Sequence, residues 1–247
     1  MKIGTYLLVG GFALVLFGIA LLPASLIWQM VGPGVAASIP FKIEKVGGTA
    51  WDGFVVGRPI GAFTDRVAVQ WEWLPARLVT GKLGFYLEAE SADFRASGVV
   101  YKGVSGEGAH NVSGVMNVAM LDPFLKGLGA SATGAVSIGD GVVVVNSERQ
   151  ITEAGGELVW REASVRTSLG DGLQTYTLPA ISGVVAQRPE GTFVEVKQVD
   201  GGLPLGELGI SSDGIFSATV LQRVMKLVGM QTSDENKVLI RTQQPLF

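Results

Sequence analysis

The chain has 247 residues, a net charge of −3, 35 glycines, one histidine and no cysteine. The missing cysteines exclude disulfides, thiolate catalysis and cysteine-ligated metals, and without a single run of Lys or Arg there is no electrostatic footprint for a nucleic-acid partner. Charged residues at 17%, below the usual ~25%, exclude a typical disordered tail and suit a turn-rich β protein.

The first element is apolar. No charged residue lies between Ile3 and Ile27, a run long enough, at 1.5 Å per helical residue, to cross a ~30 Å hydrocarbon layer. Tyr6 and Trp28 stand near its ends, where amphipathic rings favour the interface. Its only nearby cations are the terminal amine and Lys2, and the next charge is Lys42. The positive-inside rule then sets the N-terminus in the cytoplasm and the bulk outside. A cleaved signal peptide would need a ~7–15-residue apolar stretch, and the passable site Val35-Ala36-Ala37 comes too late for one. The expectation is an uncleaved, single-pass anchor over 1–30 that meets the membrane through Ile3 to Ile27. Gly32-Pro33-Gly34 is expected to break the helix and open a linker over 31–40. A β-rich domain follows over 41–247.

Beyond the linker the pattern is period-two alternation. Val67, Val69, Trp71 and Trp73 share one face; Ala68, Gln70 and Glu72 share the other. Leu83, Phe85, Leu87 and Ala89 alternate with Lys82, Tyr86, Glu88 and Glu90. Val112, Met116, Val118 and Met120 do so against Ser113 and Asn117, and Ala132, Val136 and Ile138 against Ser131, Thr133 and Ser137. Gly139-Asp140-Gly141 before the run Val142 to Val145 reads as a hairpin turn. Further strands are predicted over 41–46, 53–57, 93–101, 151–160, 173–178, 181–187, 192–199 and 203–210. Leu74 to Thr80 and Asp122 to Lys126 each predict one helical turn.

The one amphipathic helix is predicted over 217–228. Leu221, Val224, Met225 and Val228 fall at i, i+3, i+4 and i+7, with Gln222, Arg223 and Lys226 on the polar face. Asp213 or Ser217 would cap its start and Gly229 its end. A polar turn, Thr232 to Lys237, leads into a last strand, Asn236 to Arg241. The fold class is therefore mainly β: an antiparallel curved sheet or sandwich-like domain behind one transmembrane helix, with one short C-terminal amphipathic helix. Val69 to Ala76 and Gly156 to Ala163 are faintly alike, each ending a strand on Trp and then reaching Ala, as two duplicated β units would.

Catalytic signatures are absent. His110 has no partner in sequence for a triad or a metal site, and before Asn111 in a strand-turn context it reads as a surface residue. Gly103-Val104-Ser105-Gly106 is not a nucleophile elbow. Gly47-Gly48-Thr49-Ala50-Trp51-Asp52-Gly53 has neither dinucleotide nor P-loop spacing. Glu88 and Glu90 read as a solvated strand face. No catalytic, cofactor-binding or metal-binding residue is assigned. The glycines around Trp51 instead permit a tight turn or bulge with Trp51 packed beside it. Trp51 and Trp73 are both expected at strand ends, with their rings buried.

Taken in order, these pieces resemble type II secretion system protein N, a bacterial inner-membrane accessory of the secretin-based export machine. Pro23-Ala24-Ser25-Leu26-Ile27-Trp28 closes the anchor. Gly48-Thr49-Ala50-Trp51-Asp52-Gly53 is similar to the family's Gly-Thr-x-Trp-x-Gly. Trp71-Glu72-Trp73-Leu74-Pro75, continuing to Leu78-Val79-Thr80-Gly81-Lys82-Leu83, looks like its Trp-x-Leu-x-Pro and Leu-Leu-x-Gly-x-Leu stretch. Gly155 to Ala163, Gly202-Leu203-Pro204-Leu205 and Leu227-Val228-Gly229-Met230 follow. The chain departs at Gln243-Gln244-Pro245, where a glycine is expected. The resemblance implies a periplasmic domain, other type II secretion components as partners, and no enzymatic activity. A second reading is an AsmA-like periplasmic protein that binds or handles lipid. The interior discriminates: a filled core favours the scaffold, an open apolar channel favours lipid.

Overall fold

The computed structural model describes residues 2–36, 41–60, 65–125, 129–148, 150–168, 172–232 and 234–245. With 64% of the chain in strands it is mainly β. It divides into two compact units, Met1–Leu74 with Phe85–Ala92, and Pro75–Gly84 with Asp93–Phe247.

The first unit begins with two helices, α1 (Lys2–Ala20) and α2 (Ala24–Ala36). The apolar run Ile3 to Ile27 is therefore not one helix. It breaks at Leu21–Pro23, because a proline disfavours helical backbone at the residue before it. Pro23 forms an isolated β-bridge with Thr49. Gly32-Pro33-Gly34, expected to end a helix, lies inside α2; Pro33 removes one backbone hydrogen bond there without stopping the helix. Described side chains in α1 start at Gly11. Among the described residues no helix is long and apolar enough to cross a membrane. Strands β1 (Phe41–Gly48), β2 (Asp52–Pro59), β3 (Val67–Trp73) and the Phe85–Glu90 part of β4 (Lys82–Glu90) pair antiparallel in that order.

The second unit holds a 3₁₀ turn (Pro75–Thr80), the start of β4, and then β5 (Phe94–Gly103) and β6 (Gly106–Asn117). A 3₁₀ turn (Val118–Leu121) runs into the one-turn α3 (Asp122–Leu125). Val118 and Met120, expected on a strand, sit in that turn. The long β7 (Ala130–Asn146) and β8 (Ile151–Ser168) follow, then β9 (Leu173–Thr177), β10 (Ile181–Arg188), β11 (Gly191–Gln198), β12 (Pro204–Ser211), β13 (Ile215–Leu221), α4 (Arg223–Leu227) and β14 (Val238–Pro245). From β5 the strands are ordered as in the chain, except that β8 is shared: Gly155–Trp160 pairs with β10 and Ser164–Ser168 with β9.

Three expectations change here. Gly139-Asp140-Gly141 is not a hairpin turn. Asp140 has φ 51° and the register with β8 shifts between Gly139 and Val142, so the segment is a bulge inside one strand. β8 likewise runs past Trp160 and does not end on it. The helix expected over 217–228 shrinks to Arg223–Leu227, and Ser217–Leu221 joins β13. Phe216, Ala218 and Val220 also satisfy the strand period, and the β12 ladder on one side and the β14 ladder on the other outweigh the helical match. Gln222, with no side-chain cap bond, takes the N-cap in place of Asp213 or Ser217. Gly229, at φ +76°, does close the helix.

Each unit carries one sheet, and element contacts run mostly between neighbouring strands. Among the described residues no large side chain is fully buried. Ala132, Ala154, Ala163, Val118, Tyr101 and Leu205 form the sparse core of the second unit. The sheet alternative holds and the sandwich does not.

Candidate functional site

The Gly47–Gly53 motif is the β1–β2 turn. Gly48 has φ +81°, and a Cβ there would lie 2.5 Å from the Asp52 carbonyl oxygen, so only glycine fits. A Cβ on Gly53 would meet the Trp71 ring at 2.6 Å. Thr49 Oγ1 closes the turn by accepting from the Asp52 amide at 3.0 Å. The turn then grips the α1–α2 junction. The Ala50 amide donates to the Leu22 carbonyl at 2.8 Å. Trp51 Nε1 donates to the Ile19 carbonyl at 2.8 Å, an oxygen that also accepts from the Leu22 amide at 3.2 Å. Trp71 Nε1 returns to the Ala50 carbonyl at 3.1 Å. The Trp51 and Trp73 rings meet at 4.8 Å, tilted by 43°. Both rings are half-buried, not buried as expected. Trp73 Nε1 is enclosed and has no hydrogen-bond partner among the described residues. The motif works as a clasp between the apolar helix and the sheet.

Beside the clasp lies an apolar cavity of about 220 Å³, lined by Ala24, Ile27 and Trp28 of α2 and by Ile43, Val55 and Trp71 among others. The second unit has a cavity of about 180 Å³ between β10–β13 and α4, lined by Ile181, Val196, Leu205, Val220, Val224 and Leu227 among others.

Arg223, expected on the polar outer face of the helix, is buried. Its guanidinium donates to Pro204 O at 3.0 Å, Asn236 Oδ1 at 2.8 Å and Glu235 Oε2 at 3.2 Å. Lys226 also pairs with Glu235. The hydrogen bond from Lys226, then that from Arg223, hold the Glu235 carboxyl below its ordinary range. This clip fixes Glu235 and Asn236 just ahead of the last strand. Among the described residues the strand that follows, β14, pairs only with β13, and all eight of its residues are exposed.

His110, expected at the surface, is partly exposed. It sits half-buried in β6 and stacks on the Tyr101 ring at 4.7 Å. No group of three potential metal ligands occurs among the described residues.

The profile of type II secretion system protein N matches residues 40–235. The chain belongs to that family. Its matched region takes in the clasp motif, every strand from β1 to β13 and the Arg223–Glu235 pair, and stops short of β14. No curated protein and no solved structure matches the chain. Membership makes it a component of the type II secretion system, associated with the cell envelope.

The clasp was visible as a Gly-Trp motif; its partner was not, because Ile19 contributes a backbone carbonyl. The Arg223 clip and the surroundings of Tyr101 were missed. The one signal for the clip was a lone Arg with acidic and amide residues twelve and thirteen positions on.

Proposed function

We propose that this chain is an inner-membrane-anchored accessory of the type II secretion system that works by docking and not by chemistry. On this reading residues 1–30 are the anchor, with the N-terminus cytoplasmic, 31–40 the linker and 41–247 the periplasmic domain. The anchor is supported by α1 itself. Phe12, Leu14, Val15, Leu16, Phe17 and Ile19 are all exposed. At 100° per residue they leave no polar side, which suits a lipid environment and not water.

The observation that carries docking is β14. It is an edge strand exposed on both faces, so one row of N–H and C=O groups is open to strand addition by a partner. Neighbouring residues of a strand aim these groups to opposite edges. Of Arg241→Pro and Thr242→Pro, one removes an amide from the β13 ladder and the other removes an outward amide. The outward variant should fold normally yet lose co-purification with other secretion components. Retention of the partners by both folded variants would refute strand addition.

The second reading, an AsmA-like lipid handler, is favoured by the two apolar cavities described above and by the lack of large fully buried side chains among the described residues. Phospholipid co-purifying with the protein in stoichiometric amount would support it.

A further inference from the structure

Tyr101 is among the few buried side chains of the second unit. Two cations converge on its ring: Lys82 Nζ stands 4.3 Å and Arg77 Cζ 5.6 Å from the centroid. His110 stacks on the same ring, interplanar angle 12°. The backbone builds this cluster. Tyr101 pairs with Gly108, so His110 is its diagonal neighbour two residues along β6. At Gly108 a Cβ would lie 2.8 Å from the Tyr101 hydroxyl; only glycine admits the ring there. Asn111, next to His110, has φ 51°, and the β5–β6 register shifts between Ser97 and Val99, so a bulge lies beside the histidine. Bulges commonly aim side chains at functional positions.

The charges are unbalanced. Among the described residues neither Arg77 nor Lys82 makes an ion pair, whereas Arg58, Arg66, Lys102, Arg188, Lys197, Arg223 and Lys226 all do. One aromatic face attracts a single exposed cation only weakly; it does not offset the repulsion between two.

We propose that Arg77, Lys82 and His110 around Tyr101 form a recognition site for a phosphate group, either free or in an anionic lipid headgroup. Arg77 supplies the planar fork that suits phosphate oxygens, and Lys82 supplies a point charge. The several unesterified oxygens of a phosphate, free or in a diester headgroup, can meet both cations at once. His110 is held below its ordinary value of 6.5, first by burial, then by Arg77 and Lys82, against an upward pull from Glu153 on β8. Those surroundings disfavour its imidazolium, and an anion between the two cations favours it.

The single histidine makes a direct reporter. The imidazole Cε1–H resonance of the full chain is followed by NMR in zwitterionic detergent across pH. Inorganic phosphate, added at constant ionic strength against chloride, should raise the His110 midpoint saturably. In nanodiscs, phosphatidylglycerol mixed into phosphatidylcholine should raise it when the lipid headgroup is the ligand, and phosphatidylcholine alone should not. A shift in the detergent arm identifies free phosphate; a shift in the phosphatidylglycerol arm alone identifies the lipid. Lys82→Gln should weaken phosphate affinity about tenfold, the loss of one charge-assisted hydrogen bond, as should Arg77→Gln. The two are made separately, so one misfolded variant leaves the other. An unmoved midpoint in every arm, or an undiminished shift in both folded variants, would overturn the site.

Discussion

Trp51 acts through its indole nitrogen as much as its ring. The half-buried ring contributes less than the ~3–5 kcal/mol typical of full burial, and the bond to Ile19 O adds about 0.5–1.5 kcal/mol. Trp51→Phe keeps an aromatic beside Trp73 and loses only the bond. It should therefore destabilise by roughly 1 kcal/mol, read as a small fall in Tm of the detergent-solubilised chain. Gly53→Ala should cost more, because its methyl has nowhere to go between Trp71 and the Gly47 and Thr49 carbonyls. A Gly53→Ala protein as stable as wild type would refute the clasp. Such positions are partly legible in sequence. Glycines bracketing a tryptophan announce a turn, since few other residue types tolerate φ +81°. What the tryptophan touches 32 residues away leaves no mark, because every residue carries the same carbonyl.

At the level of elements, alternation found nearly every strand but misjudged where strands stop. Glycine-rich bulges look like turns: Gly139-Asp140-Gly141 has a hairpin's composition and a bulge's geometry. The 217–228 segment fits both periods, and only pairing with β12 and β14, invisible locally, decides it. The Arg223 clip yields a pH prediction. Glu235 has a depressed carboxyl pKa, so its contribution is present above the ordinary value of 4.5 and is lost as pH falls through the folded value. Amide exchange of the 232–237 turn should therefore quicken on acidification below that point, relative to β7 and β8. Glu235→Gln should remove the effect. A turn whose relative protection stays constant in acid would mean that Pro204 and Asn236 hold Arg223 without help. On the docking reading, in which β14 meets the partner, His110→Ala should leave secretion unchanged.

For the whole molecule, the sequence pattern pointed to a β-rich body behind an apolar helix. It could not say whether the apolar strand faces meet each other. Alternation records that one face avoids water; it does not record what covers that face. The structure puts only short helices on the sheet of the second unit and leaves a 180 Å³ apolar cavity under α4, a feature the lipid reading needs and the docking reading does not. One measurement tests what the readings share, and a second separates them. N-terminal sequencing of membrane-extracted protein should recover Met1 or Lys2, and a new terminus near Ser38 would remove the anchor that both share. The second is a cavity-filling pair. Val196→Phe and Val220→Phe each place added volume where the cavity offers space, so overpacking should be mild, below ~1–3 kcal/mol. If the chain docks through β14, folded Val196→Phe protein should support secretion at the wild-type level and keep its partners. If the cavity holds an acyl chain, the same substitution should abolish lipid co-purification and secretion together while the outward β14 proline leaves both intact.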